Sequence, residues 1–387
     1  MAPTGAIENL YRTMKLNISL IVLFSILFHS CVSSPNKVDV ILIDNNQVLV
    51  LNEANITEKR ILAISELTDG YELIPFEDLD ESFFKMQWMH FSEHYVCVRQ
   101  DNGPVKLFDN KGHFIHNVGS KGHGPGEYIS VYDVLVDEKS NSIYLASISD
   151  DRILKYNMQG EYIGKIQLEA RVNKGRIFQQ SDSVLSLIHI CFSESSDKFT
   201  AANIILSNPE KISYVFNEAL SVNSINEKKE YVGFNYENYS YRNTSQFAFC
   251  ITNSDTLYHY DNQNNEIRAV FAVKPEHLSE NPFVLVNELP KHYMTIINNS
   301  VFLTEKKTGE SYQAEFINDY IGNTEIFPRI QDGYIFLIIE PVFMREKLKK
   351  KLDSGDYSNG QKEQLIKLIT YFESKNNDVL FRAKLKP

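Results

Sequence analysis

Cysteine is scarce: four in 387 residues are too few for a disulfide framework to hold the fold. Positive charge is short as well. Thirty-nine Lys and Arg face 50 Asp and Glu, and the resulting net charge of −11 argues against a nucleic-acid binder. No apolar run reaches the roughly 20 residues that a membrane-spanning helix needs. The sequence holds no G-x-x-x-x-G-K-[ST], H-E-x-x-H or G-x-S-x-G pattern and no paired-cysteine spacing, so the common signatures of phosphate cradles, zinc sites and serine hydrolases are missing. With 43% hydrophobic and 23% charged residues the chain is ordinary globular material, long enough for one large domain or two average ones. Aromatic residues make up 12%, most of them Tyr and Phe.

The longest apolar run, Leu16 to Phe28, follows Lys15 and precedes the small residue Ser30. A charged start, an apolar centre and a small residue before the break form a secretory signal layout, giving a signal peptide over residues 1–30. Met14 makes a more compact start than Met1, and residues 1–13 then read as an upstream extension. Leu27-Phe28-His29-Ser30-Cys31 resembles the lipobox of bacterial lipoproteins, departing from it at Phe28 and His29. That resemblance implies a lipid on Cys31 and a membrane-anchored mature chain, with residues 31–58 as tether and leader strands. Cys97, Cys191 and Cys250 each sit among apolar or aromatic neighbours and read as buried, unpaired thiols.

The body of the chain repeats. Leu107-Phe108-Asp109-Asn110-Lys111-Gly112 recurs as Lys155-Tyr156-Asn157-Met158-Gln159-Gly160, 48 residues later. A third copy starts at Leu257-Tyr258-His259-Tyr260-Asp261. Within one unit, Ser142–Ala146, Arg152–Tyr156 and Glu161–Ile166 read as short strands joined by Asp-Asp and Asn-x-x-Gly turns. Strands of this length in an antiparallel meander, at a period near 45–50, are propeller blades. A single such sheet cannot cover both of its faces, so the blades must stack around an axis. Setting aside a helical insert and the leader, about 290 residues remain, which is six units of the expected length. The provisional units are 60–81 completed by the carboxyl end, 82–126, 127–172, 173–243, 244–290 and 291–340.

Four glycines crowd into Gly119-Ser120-Lys121-Gly122-His123-Gly124-Pro125-Gly126, ahead of Glu127 and Tyr128. No helix pattern follows, so this is a crossing between blades and not a phosphate loop. Together with Asp109-Asn110-Lys111-Gly112 and Glu72-Leu73-Ile74-Pro75-Phe76, the stretch resembles a six-bladed β-propeller family of bacterial lipoproteins, related to NHL-repeat propellers and found in Gram-negative gut anaerobes. NHL-type blades often carry an Asp after the second strand, where this chain has Ala146-Ser147. The resemblance implies a cell-envelope address on the outer membrane, at its periplasmic or surface face, and no shared reaction.

From Pro341 the period changes. Met344, Leu348 and Leu352, then Leu365, Leu368, Ile369 and Phe372, form a helical stripe, with a capping-box spacing from Ser358 to Gln361. The basic run at Lys347 and Lys349–Lys351 reads as a solvated face. Val379, Phe381, Ala383 and Leu385 then alternate as a strand. The expected architecture is all-β: a six-bladed propeller over 59–387, with a helical hairpin at 342–375 and a closing strand at 378–385 paired with the amino-terminal blade.

No catalytic residue, metal or cofactor stands out. His113 and His116 are three apart on one strand and so face opposite sides. His123, Glu127 and Tyr128 are the candidate ligand-facing residues, since the crossing loop ends near the channel mouth. Trp88 is expected to fill blade core or line the channel. The leading functional reading is a non-catalytic binding or scaffold propeller for a glycan, peptide or partner protein. The alternative is a lactonase-like hydrolase or lyase with a divalent ion in the channel, which would need three or more carboxylate, Asn or His side chains converging on the axis.

Overall fold

Successive strand residues in this chain face two different apolar neighbourhoods. Ile143 and Leu145 join one core cluster while Tyr144 and Ala146 join the next. Cys97 and Leu107 likewise separate from Val96, Val98 and Phe108. This period of two, apolar on both faces, is what a sheet buried between two other sheets requires. The computed structural model describes residues 35–43, 46–196, 198–252, 254–276, 283–355 and 357–387. The signal segment and the lipidation site expected at Cys31 lie outside them.

Six antiparallel sheets form the ring. Blade 1 spans residues 86–118, blade 2 131–172 and blade 3 176–215. Blade 4 spans 238–274 and blade 5 284–326. Blade 6 takes its inner strands from Arg329–Gln331, Tyr334–Ile339 and Val379–Lys384. Its outer strand is β4 (Glu72–Pro75), which pairs antiparallel with Val379–Lys384. Six clusters of buried side chains bridge neighbouring blades in turn. The last, around Ile74, Met89, Phe108, Phe336 and Leu380, joins blade 6 to blade 1 and closes the circle. Cys97, Cys191 and Cys250 are buried and free, as their surroundings predict.

The amino-terminal segment runs around the outside before the first blade begins. β1 (Asp39–Ile43) and β2 (Asn46–Asn52) extend blade 4, β2 lying parallel to Glu266–Lys274. β3 (Lys59–Ala63) lies parallel to Ser311–Asn318 on blade 5. β4 then completes blade 6, so residues 39–75 strap three consecutive blades. Between the second and third strands of blade 6 come helices α1 (Pro341–Ser354) and α2 (Asn359–Glu373). Ser358 and Gln361 form the expected reciprocal cap on α2. Leu348, Leu365 and Phe372 bury against Ile321, Leu62 and their neighbours between blades 5 and 6.

Three blade boundaries differ from the sequence reading. The fourth unit, 173–243, is a blade ending at Val215 plus a long crossing over 216–237. The next blade opens at Asn238, ahead of residue 244. Residues 329–339 belong to the closing blade and not to a sixth unit at 291–340. The cause is local. The crossing pairs little of its backbone in ladders, and the first strand of blade 4, Asn238–Tyr239, is two residues long and too short to show a period.

Candidate functional site

Six innermost strands converge on one axis, and there is little room for a full apolar row along it. Polar side chains occupy it instead: His90, Asp133, Arg176, Asn238, Asn287 and Gln331 are all buried. At their centre is Arg242, in the turn after the first strand of blade 4, with a positive φ of 52°. Its Nε donates to Asp332 Oδ1 at 2.7 Å, and its Nη1 to Asp133 Oδ2 at 2.8 Å and Ile177 O at 2.9 Å. Its Nη2 donates to His90 Nδ1 and Val134 O, both at 2.8 Å. All five N–H groups are used. The accepting groups belong to blades 1, 2, 3 and 6. The next residue, Asn243, bonds to Asn287 of blade 5 at 2.8 Å and to the Gly333 N–H of blade 6 at 2.9 Å.

The electrostatics follow from burial. Burial works against the Arg242 charge, but the Asp133 and Asp332 carboxylates outweigh it and hold the guanidinium above its ordinary value. Burial raises the Asp332 carboxyl, with Arg242 opposing. Burial, then the cations Arg242, Arg99 and Arg176, push His90 well below the ordinary histidine value, so its Nδ1 is free to accept. Carboxylate and imidazole groups therefore do converge on the axis, as a lactonase-like centre would require. They converge on a guanidinium, which stands where an ion would sit. Among the described residues no group of three or more His, Cys, Asp and Glu is placed to hold a metal.

His189 follows the same rule away from the axis. Its Nε2 donates to Phe199 O at 2.7 Å and its Nδ1 accepts from the Asn173 N–H at 3.2 Å, an arrangement only the neutral ring can make. Burial lowers its pKa to about 4. Its folded value lies below the unfolded value of about 6.5, so the stability it contributes is complete above pH 6.5 and is lost as pH falls toward 4. The expected loss is about 3 kcal/mol. Urea midpoints measured from pH 7 to pH 4.5 should fall, and His189→Gln should flatten that slope; an identical slope in the variant would refute the assignment.

By topology all six inter-blade crossings emerge on one face, and that face holds most of the exposed aromatic rings. Phe83, Tyr231, Phe234, Phe283 and Phe327 on the crossings, with Phe343 at the start of α1, are 42 to 66% exposed. Toward the axis the rings continue inward. Phe283 meets Tyr239 at 6.2 Å between centroids, Tyr239 meets Tyr241 at 6.4 Å, and Tyr241 meets Trp88 at 6.0 Å. The Arg329 guanidinium lies over Trp88 at 5.9 Å. Trp88 is half-buried, and its Nε1 donates to Gln331 Oε1 at 3.0 Å. Blades 1 and 4 stand opposite one another in a ring of six, so the Trp88–Tyr241 and Arg242–His90 contacts both reach across and close the channel. What remains is a mouth floored by half-buried aromatics, with exposed rings around it.

The three residues expected to face a ligand lie on the crossing between blades 1 and 2, over the outer strands of blade 1. Tyr128 is buried; its hydroxyl donates to Val118 O at 2.6 Å and accepts from the Val105 N–H at 2.8 Å. Glu127 accepts from the Gly124 N–H at 2.8 Å and from Ser120 Oγ at 3.3 Å. A Cβ at Gly122 would come within 2.0 Å of Glu127 Oε2, so a larger residue there would push that carboxylate out of its place in the loop. His123 is exposed. These three do not join the aromatic chain at the mouth. Sequence reasoning missed Arg242, Tyr239 and Tyr241, which lie in the divergent fourth repeat; the alternating Tyr239-Ser240-Tyr241 was the available signal.

Residues 47–384 match the family described as "Domain of unknown function (DUF4934)". Among solved structures, a protein of Bacteroides fragilis described as exported is similar at 15% identity with a TM-score of 0.58, over 87% of this chain and 100% of that one. A member of the DUF4221 family from Bacteroides vulgatus aligns at 12% identity with a TM-score of 0.46, over 91% of this chain and 99% of that one. No curated protein matches. No helix among the described residues is long and apolar enough to cross a membrane. The first structural likeness shows the propeller fold alone, and the family match, which runs from β2 to the last residue of the closing strand, makes this chain a member of the DUF4934 family.

Proposed function

We propose that this chain is a non-catalytic binding or scaffold propeller of the cell envelope, held to the outer membrane by lipid on Cys31, with the crossing face turned to a glycan, peptide or partner protein. The observation that carries the reading is the arrangement at the axis. Arg242 takes up the carboxylates and imidazole that would otherwise be free for an ion, while rings that a ligand can stack on remain accessible above it. Aromatic rings give large contact area at small entropic cost, which suits a recognition surface. His123, an exposed residue of the glycine loop, belongs to the same face and is proposed to contact the outer part of the ligand; Glu127 and Tyr128 would hold that loop in shape.

Trp88 is the only tryptophan, so its emission reports on the mouth directly. Soluble glycans and peptides titrated into the protein should shift or quench it. Phe283→Ala and Tyr239→Ala should weaken the ligand found at least tenfold, a loss of about 1.4 kcal/mol or more. A ligand that binds both variants as tightly as the parent would place the site elsewhere. For the anchor, Cys31→Ser should abolish fatty-acid labelling and move the protein from the detergent phase to the aqueous phase.

A further inference from the structure

The outermost strand of blade 4 is unusual for an edge. β1 reads Asp39-Val40-Ile41-Leu42-Ile43, pairs with β2 on one side, and among the described residues has no strand on the other. Val40 and Leu42 on one face are 57% and 69% exposed, and Ile41 on the opposite face is 38% exposed. Open edges are ordinarily guarded by lysine, proline or a bulge, because their unpaired N–H and C=O groups are a template for another strand. β1 has none of these, and its register with β2 is unbroken. Two other outer edges differ: β3 begins Lys59-Arg60, and the outer strand of blade 2 carries Lys165, Glu169 and Arg171.

We propose that β1 is an interaction edge, and that its occupant is β1 of a second copy of this chain, paired antiparallel about Ile41. A two-fold axis at that residue sets Ile41 against Ile41 of the second copy, Val40 against Leu42, and Asp39 against Ile43. Every pair is apolar except the end pair, where a carboxylate faces an isoleucine, so no like charges meet. The strand is thus complementary to itself about a two-fold axis at Ile41. The pairing would join two copies of blade 4 into one continuous sheet at the circumference of the ring and leave both crossing faces open. A five-residue edge is small for a stable interface, so the dimer is concentration-dependent.

The test uses the full chain with Cys31→Ser, so that no lipid holds copies together. Sedimentation velocity from micromolar to several hundred micromolar should show monomer passing to dimer. Leu42→Lys should remain monomeric throughout with an unchanged unfolding midpoint. Register is read separately. Opposed residues in an antiparallel pair lie about 4.5–5.5 Å apart at Cα, within disulfide range. Ile41→Cys should therefore cross-link to itself under mild oxidation, whereas Leu42→Cys should not, because it faces Val40. If Leu42→Lys also unfolds the chain, the cysteine pair still decides. A monomer at every concentration, a dimer indifferent to Leu42→Lys, or equal cross-linking by the two cysteine variants would each overturn the proposal.

Discussion

A chain ending at Asn376 is expected to lose its folded state. The strand removed, Val379–Lys384, is not an outer trim. It lies between Tyr334–Ile339 and β4, and is the ladder that joins the carboxyl-terminal strands of blade 6 to the strand supplied from residues 72–75. Val379, Leu380 and Phe381 are completely buried in two different clusters, one facing blade 5 and one facing blade 1. Burying such side chains is worth about 1.5–3 kcal/mol each, so their loss removes roughly 5–9 kcal/mol. That rivals the entire stability of a typical domain, about 5–15 kcal/mol. Arg382 adds an ion pair to Glu72 across the same junction. The truncated chain should show no cooperative thermal transition and rapid proteolysis, and a synthetic peptide of residues 377–387 should restore both in part. Should the truncated chain melt at the parent's midpoint, ring closure by this strand is wrong.

The ring was legible because its physics is local and repeated. Tyr156 and Phe108 announce equivalent strands 48 residues apart, and Asn157–Gly160 announces the turn that follows. The closing strand was legible because Val379, Phe381 and Ala383 alternate after a helical stretch. The axis was not legible, for a physical reason. Arg242 owes its role to acceptors far away in the chain, at His90, Asp133, Ile177 and Asp332, and nothing within its own window marks it. The outer strap was equally hidden. β2 and β3 gain their ladders from parallel strands more than 200 residues away, and a short apolar run near a tether carries no hint of which blade it will join. Tyr128 shows the converse: its place in the glycine loop was plain, while its hydroxyl's two backbone partners were not.

Arg242→Met should cost about 3–5 kcal/mol, the usual consequence of removing one partner from a buried ion pair. The cost arises less from lost attraction than from what stays behind. Asp133 is completely buried and Asp332 nearly so; without the guanidinium Asp332 lacks its counter-charge and Asp133 keeps only the longer contact to Arg176 at 3.4 Å. Arg242→Lys should recover less than half of the loss, since one ammonium with three donors cannot meet five acceptors spread over four blades. Adding Asp133→Asn and Asp332→Asn to Arg242→Met should recover more, because the stranded charges are then gone. The pH dependence separates this account from simple loss of packing. In Arg242→Met the Asp332 carboxyl, already raised by burial in the parent, loses the guanidinium that opposes the rise, so its protonation on lowering the pH relieves the folded state. The deficit relative to the parent, read from urea midpoints, should therefore narrow between pH 7 and pH 5. A deficit that stays constant over that range would mean the guanidinium acts as filler. A narrowing deficit would mean that an internal cation, fixed by the sequence, neutralises the axis of this propeller.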